Sequence, residues 1–225
     1  MNFIKSADSK GGSEQLTKQL MSALSAKNKV LWIVSGGSNI RVECEVMAKI
    51  PNDLRPFLAI VLVDERFGEI GHKDSNAQQL LDSGFEPDHA NFIPILTKLK
   101  STPEDTAKHY QFVFEQAVDF ADVVIAELGI GWGGHIGGIL PDSPALTDKK
   151  LVISYQAADY QRISLTSGAL VYINSTYVFS FGPDKAAELK RLKDEKVAPA
   201  KQPAQLLKTM RDVRIYNDYV EGEAL

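Results

Sequence analysis

Three apolar runs, each cut off by a polar or glycine-rich cluster, restrict this chain to few architectures. Residues 30–34, 58–63 and 123–128 are apolar at nearly every position. A strand wet on one face alternates apolar and polar side chains, so continuous runs belong to strands covered on both faces. Longer helical patterns lie between them: 39–50, closed by Pro51; 75–81; and a helix through Phe120 opened by Thr102, Pro103, Glu104 and Asp105. That opening is an N-cap with proline in the first turn and acids behind it. Further strands are expected at 91–95, 151–153, 162–166, 170–173, 177–181 and 213–216, and further helices at 184–194 and 203–210. Strand–helix alternation predicts an α/β fold: a doubly wound, mostly parallel, Rossmann-like sheet with helices on both faces. No repeat, low-complexity segment or linker interrupts residues 1–225, and one domain is expected.

Ligands of such sheets sit beyond the carboxyl ends of the strands. Three polar clusters occupy that position here: Ser35, Gly36, Gly37 and Ser38; Asp64, Glu65 and Arg66; and the loop from Gly129 to Gly138. Shared placement predicts one site. The last loop holds six of the 16 glycines within ten residues and a single histidine, His135. Glycine at that density suits close approach of backbone to a ligand, and an imidazole there titrates near neutrality. His135 is the candidate general base, with backbone N–H groups of Gly133, Gly134 or Gly137 as candidate oxyanion donors. His72, His89 and His109 read as solvated.

The Ser35, Gly36, Gly37, Ser38, Asn39 junction lies between strand and helix, where converging N–H groups and the helix N-terminus favour an anion. No lysine makes it a Walker loop, and it lacks the dinucleotide fingerprint. A phosphate monoester fits; a tight turn with a serine N-cap is the competing reading. Arg66, Arg162 and Lys185 are candidate cations for that phosphate, although each alone would pass for a solvated surface charge.

A formal charge of -4 and a pI near 5.6 argue against general affinity for nucleic acid or anionic membranes. One cysteine, Cys44, cannot form an internal disulfide. No apolar stretch approaches the ~20 residues of a membrane span, and the first residues lack the apolar core of a signal peptide. These features predict a cytoplasmic protein. No Cys/His spacing suggests zinc, and no serine sits in a G-x-S-x-G elbow.

Taken in order, these pieces resemble the 6-phosphogluconolactonases, within the larger group that includes glucosamine-6-phosphate deaminase. The resemblance rests on residues 35–38, Asp64-Glu65-Arg66, Asp74-Ser75-Asn76, Gly129 through His135, residues 162–166, Gly182 with Lys185, and the closing segments 203–207 and 213–218. It implies hydrolysis of 6-phospho-D-glucono-1,5-lactone, a small phosphorylated sugar lactone, in the second step of the oxidative pentose phosphate pathway. No cofactor or metal is implied, and the assembly would be a monomer or homodimer. His135 matches the family's catalytic histidine, Arg66 lies in its active-site triplet, and Ser35 to Ser38, Gly134, Arg162 and Lys185 match groups around the substrate. Arg66 favours the lactonase over the deaminase, which usually has an aromatic residue there. Leu140, before Pro141, stands where the deaminase has an acid. Both branches normally carry an aspartate at the position of Gly133. That departure leaves Asp64 or Glu65 as substitute acidic partner, and keeps a catalytically silent sugar-phosphate binder as the alternative, ahead of an isomerase or deaminase. Trp132 is expected to pack over the glycine loop.

Overall fold

The computed structural model describes residues 1–97 and 101–222. In chain order the elements are β1 (Asn2–Lys5), α1 (Lys10–Ser25), β2 (Val30–Val34), α2 (Ile40–Met47), β3 (Leu58–Leu62), β4 (Asp64–Arg66), α3 (Asn76–Asp82) and β5 (Asn91–Ile93). Then follow α4 (Pro103–Phe120), β6 (Val123–Gly129), β7 (Val152–Gln156), β8 (Gln161–Leu165), β9 (Ser175–Ser180), α5 (Ala186–Asp194) and β10 (Asp212–Asn217). Seven strands form one sheet in the order β1-β10-β9-β6-β2-β3-β5, with every pair parallel. Three more, β4-β8-β7, form a small antiparallel sheet.

The continuous apolar runs do lie in the middle of the large sheet. Every residue of β2 is buried, and Trp32, Ile60, Ile125 and Val178 are fully enclosed. Helix α1 turns Leu16, Leu20 and Leu24 inward, all with no exposed surface. Each such leucine contributes about 1.5–3 kcal/mol of burial. The α4 start follows its sequence signature: Thr102 accepts a hydrogen bond from the Asp105 N–H at 3.1 Å. No helix among the described residues is long and apolar enough to cross a membrane.

One local expectation needs correction, and three further details lay outside what the pattern resolved. Residues 170–173 are not a strand but part of a 3-10 segment, Ser167–Tyr172, with Val171 mostly exposed. An apolar run of four has no period to tell the two apart. The short helix expected at 203–210 is present as a 3-10 helix, Pro203–Thr209. The strand at 162–166 pairs antiparallel, outside the main sheet. The sequence pattern missed β1 and α1 altogether. Gly11-Gly12 at the start of α1 reads as a breaker, yet Gly12 is what brings the helix onto the sheet: a Cβ there would stand 2.5 Å from Phe179 and 2.7 Å from Tyr216.

Candidate active site

The chain leaves β2 toward β3 and β5 on one side, while β6, β9, β10 and β1 extend on the other. Loops that follow β2 and β6 therefore diverge at their carboxyl ends and open a crevice, the usual switch point of a doubly wound sheet. A cavity of about 330 Å³ lies there. Ser35 to Asn39, Asp64, Arg66, Gly129, Gly131, His135 and Gly137 all line it, so the three clusters do meet. Arg162 and Lys185 join them, with Asp159 and Asn76, which the sequence reading did not assign to the site.

His135 is held by its own loop. A side chain at Gly131 would overlap the imidazole, so glycine there makes the ring's berth. Gly131 N–H donates to the His135 carbonyl at 3.0 Å, and Ile136 and Ile139 are buried beneath. His135 Nδ1 lies 2.9 Å from the Trp132 carbonyl oxygen. A carbonyl can only accept, so Nδ1 carries the hydrogen and Nε2 keeps its lone pair. Burial lowers the His135 pKa from 6.5; the Trp132 hydrogen bond and Asp64 oppose this, while Arg162 and Lys185 add to it. That direction favours the neutral ring, the form a base must have. Gly134 stands apart from expectation: it does not line the cavity, and its N–H is taken by the Gly131 carbonyl at 3.0 Å. Gly137 lines the cavity, and its N–H has no acceptor among the described residues. Trp132 does not pack over the loop; it is 87% exposed at the rim.

The charged groups divide into two kinds. Arg162 donates to Asp64 Oδ2 at 3.0 Å and to Asp159 Oδ2 at 2.7 Å. Its charge is committed to carboxylates before any substrate arrives. Asp64 is nearly inaccessible, and burial raises its pKa against the pull of Arg162, Arg66 and His135. Arg66 bonds the Asp74 carbonyl at 3.0 Å, and Tyr160 lies under both guanidinium groups, 5.5 Å from Arg66 and 5.9 Å from Arg162. Lys185 is paired with Asp184 at 2.8 Å, a carboxylate that is largely in water. Glu65 is not an acidic partner for His135. Its carboxylate accepts from Ser75 Oγ and from the N–H groups of Arg66, Asn76 and Ala77, which ties down the start of α3. Asp64 is left as the carboxylate in the cavity next to that start.

Residues 35–38 fold as a turn with Gly36 at φ 71° and Gly37 at φ 60°. Both values lie in the left-handed region that glycine adopts without strain. Not all the expected donors point to a ligand. The N–H groups of Ser35 and Gly36 both donate to Glu43 Oε1 at 2.8 Å, and the Ser35 hydroxyl donates to Glu127 Oε2 at 3.0 Å. Gly37 and Ser38 are exposed, and their N–H groups have no acceptor among the described residues. A Cβ on Gly37 would meet nothing within 4 Å. The sequence reading passed over Glu43 and Glu127, although a carboxylate within the apolar run of β6 was a visible signal.

Gly133 has φ 68°, again left-handed, and a Cβ there would lie 3.2 Å from Pro141 Cγ. The loop is shaped around the absence of a side chain at this position. Among the described residues, no group of three or more His, Cys, Asp or Glu is placed to hold a metal ion.

Comparison with known proteins gives a consistent result. The family model for glucosamine-6-phosphate isomerases/6-phosphogluconolactonase matches residues 6–216. The 6-phosphogluconolactonase of Pseudomonas aeruginosa is 26% identical over 209 residues, covering 85% of this chain and 84% of its own. That of Synechocystis sp. is 25% identical over 222 residues, covering 93% and 90%. Among solved structures, a 6-phosphogluconolactonase from Shewanella baltica superposes with TM-score 0.78 at 21% identity over 96% of both chains. One from Leishmania guyanensis gives 0.78 at 19% identity, over 100% of this chain and 99% of its own. At these identities the structural matches speak to the fold.

Proposed function

This chain belongs to the glucosamine-6-phosphate isomerase/6-phosphogluconolactonase family, and we propose on that premise that it hydrolyses 6-phospho-D-glucono-1,5-lactone to 6-phosphogluconate. The observation that carries the reading is His135 lining the cavity with Nδ1 held at 2.9 Å by the Trp132 carbonyl. His135 Nε2 takes a proton from water as its oxygen bonds to the lactone carbonyl carbon. Charge builds on the carbonyl oxygen, which the N–H of Gly137 steadies. When the tetrahedral species collapses, the ring C–O bond breaks and the imidazolium returns its proton to the departing oxygen. Asp64 stabilises the transient imidazolium by charge, and Arg162 holds Asp64 in place.

At the other end of the cavity the phosphate takes the Gly37 and Ser38 N–H groups and the Lys185 ammonium. Lys185 suits this role better than Arg162, since its Asp184 partner is solvated and exchangeable. Within the family, Arg66 and the absence of an acid at Leu140 favour the lactonase over the isomerase, and the named relatives are lactonases.

The test is hydrolysis of freshly generated 6-phosphogluconolactone with the spontaneous rate subtracted. His135→Ala is expected to lose about 10²–10⁴-fold in kcat, the usual worth of a general base. Undiminished turnover in that variant would remove His135 from the mechanism. No turnover in the wild type, with 6-phosphogluconate still bound, would make the protein a silent sugar-phosphate binder.

A further inference from the structure

Behind the turn at residues 35–38 lie two carboxyl groups that the reaction does not use. Glu43 on α2 and Glu127 on β6 are both wholly inaccessible. Glu43 Oε1 collects the N–H groups of Ser35 and Gly36, each at 2.8 Å. Glu127 accepts from Asn39 Nδ2 at 2.6 Å and from the Ser35 hydroxyl at 3.0 Å. The second Glu43 oxygen, Oε2, is buried with no hydrogen-bond partner among the described residues. The Ser35 N–H also lies 3.4 Å from Glu127 Oε2, so the two carboxyl groups converge on one donor. Two ionised carboxylates so placed repel across a dry site, and a proton on Glu127 supplies a donor of the kind that Oε2 lacks.

We propose that Glu43 and Glu127 hold one proton between them and act as a positioning pair that sets the turn at residues 35–38 for the sugar phosphate. The proposal rests on the phosphate site described above and adds the groups that shape it. By taking the Ser35 and Gly36 N–H groups from behind, the pair leaves those of Gly37 and Ser38 directed elsewhere. By holding the Ser35 hydroxyl and the Asn39 amide, it ties the end of β2 to the end of β6, the two strands that flank the crevice. The surroundings agree. Burial, then the charge of Glu43, pushes the Glu127 carboxyl well above the ordinary range. The other groups on Glu127 are the neutral Ser35 and Asn39. Its neighbour across β9 is Tyr177, whose hydroxyl donates to Gln19 at 2.6 Å. Loss of the shared proton places two charges against each other in a dry site, so the turn loosens as pH rises.

The experiment compares wild type with Glu127→Gln and Glu127→Leu. Glutamine keeps a donor toward Glu43 but cannot ionise; leucine continues the apolar run of β6 and supplies no donor. For Glu127→Leu, KM for the lactone should rise about tenfold with kcat within about twofold of wild type, because ground-state phosphate binding is lost and His135 is untouched. Glu127→Gln should restore most of that KM. Calorimetry with 6-phosphogluconate at several pH values supplies a second readout. The ratio of the wild-type to the Glu127→Gln dissociation constant should climb as pH rises. An unchanged KM in Glu127→Leu, or a ratio flat in pH, overturns the proposal. Should Glu127→Leu fail to fold, the ratio decides. Should the wild type neither turn over lactone nor bind 6-phosphogluconate, the phosphate-site reading fails. Hydrogen exchange at the Ser35 and Gly36 amides then decides the pair: protection that drops with rising pH in wild type but not in Glu127→Gln supports it, and equal behaviour refutes it.

Discussion

Replacing Arg162 should destabilise this protein more than it weakens phosphate binding. The Arg162 and Asp64 side chains are 9% and 6% exposed and meet at 3.0 Å. Removing one member of so buried a pair costs about 3–5 kcal/mol, since the other charge stays behind without its partner. The second contact, to Asp159, adds little, because that carboxylate is 52% exposed and screened. Asp64 limits the damage by taking a proton, and its pKa is already raised by burial. About 3 kcal/mol is therefore expected for Arg162→Met near neutral pH. In a chain of this size that is a drop of about 6–12 °C in Tm. The sign with pH follows. An acid whose folded pKa is raised favours the native state while protonated, and that stability is lost as pH rises through the folded pKa. Without Arg162 the Asp64 pKa rises further, so the penalty should shrink on acidification and grow toward alkaline pH. Urea unfolding at several pH values measures this, and Arg162→Met with Asp64→Asn should recover much of the loss as a coupled pair. A variant as stable as wild type with 6-phosphogluconate affinity more than about tenfold weaker would refute the argument and make Arg162 a phosphate ligand.

Three other outcomes are expected. His135 is half-buried with its pKa lowered, so the acid limb of kcat/KM should fall below pH 6.5, and Asp64→Asn should move it lower still; a limb above 6.5 contradicts the assignment. Trp32 is fully buried and Trp132 mostly exposed, so acrylamide should quench Trp132 preferentially, and saturating 6-phosphogluconate should protect it if the ligand reaches the rim; quenching indifferent to ligand would place Trp132 outside the binding surface. Gly133→Asp must adopt φ 68° and crowd Pro141, which predicts about 1 kcal/mol lost stability and no gain in kcat; a faster enzyme would mean that the missing aspartate limits catalysis.

Much of the site was legible because strand ends advertise themselves. An apolar run that stops at glycines or charges marks a carboxyl end, and parallel sheets gather such ends on one side. Residues 35–38, Asp64, Arg66 and His135 were found on that ground, and they line one cavity. Helix α1 was missed because Gly11-Gly12 suppresses the helix signal, while the close approach of Gly12 to Phe179 and Tyr216 belongs to packing. Residues 170–173 misled for a related reason, since apolar character without length carries no period.

The sequence by itself determined the sheet class, the location of the crevice and that the His135 loop would line it, because all three follow from local order along the chain. Which donors are available within the crevice was decided by tertiary structure alone. Hydrogen bonds are saturable, so each N–H or cation near the site serves either the protein or the ligand. Arg162 is given to Asp64 and Asp159, Gly134 to Gly131, and Ser35 and Gly36 to Glu43. Those partners lie up to 98 residues away, as Asp64 does from Arg162, and only folding brings them within reach.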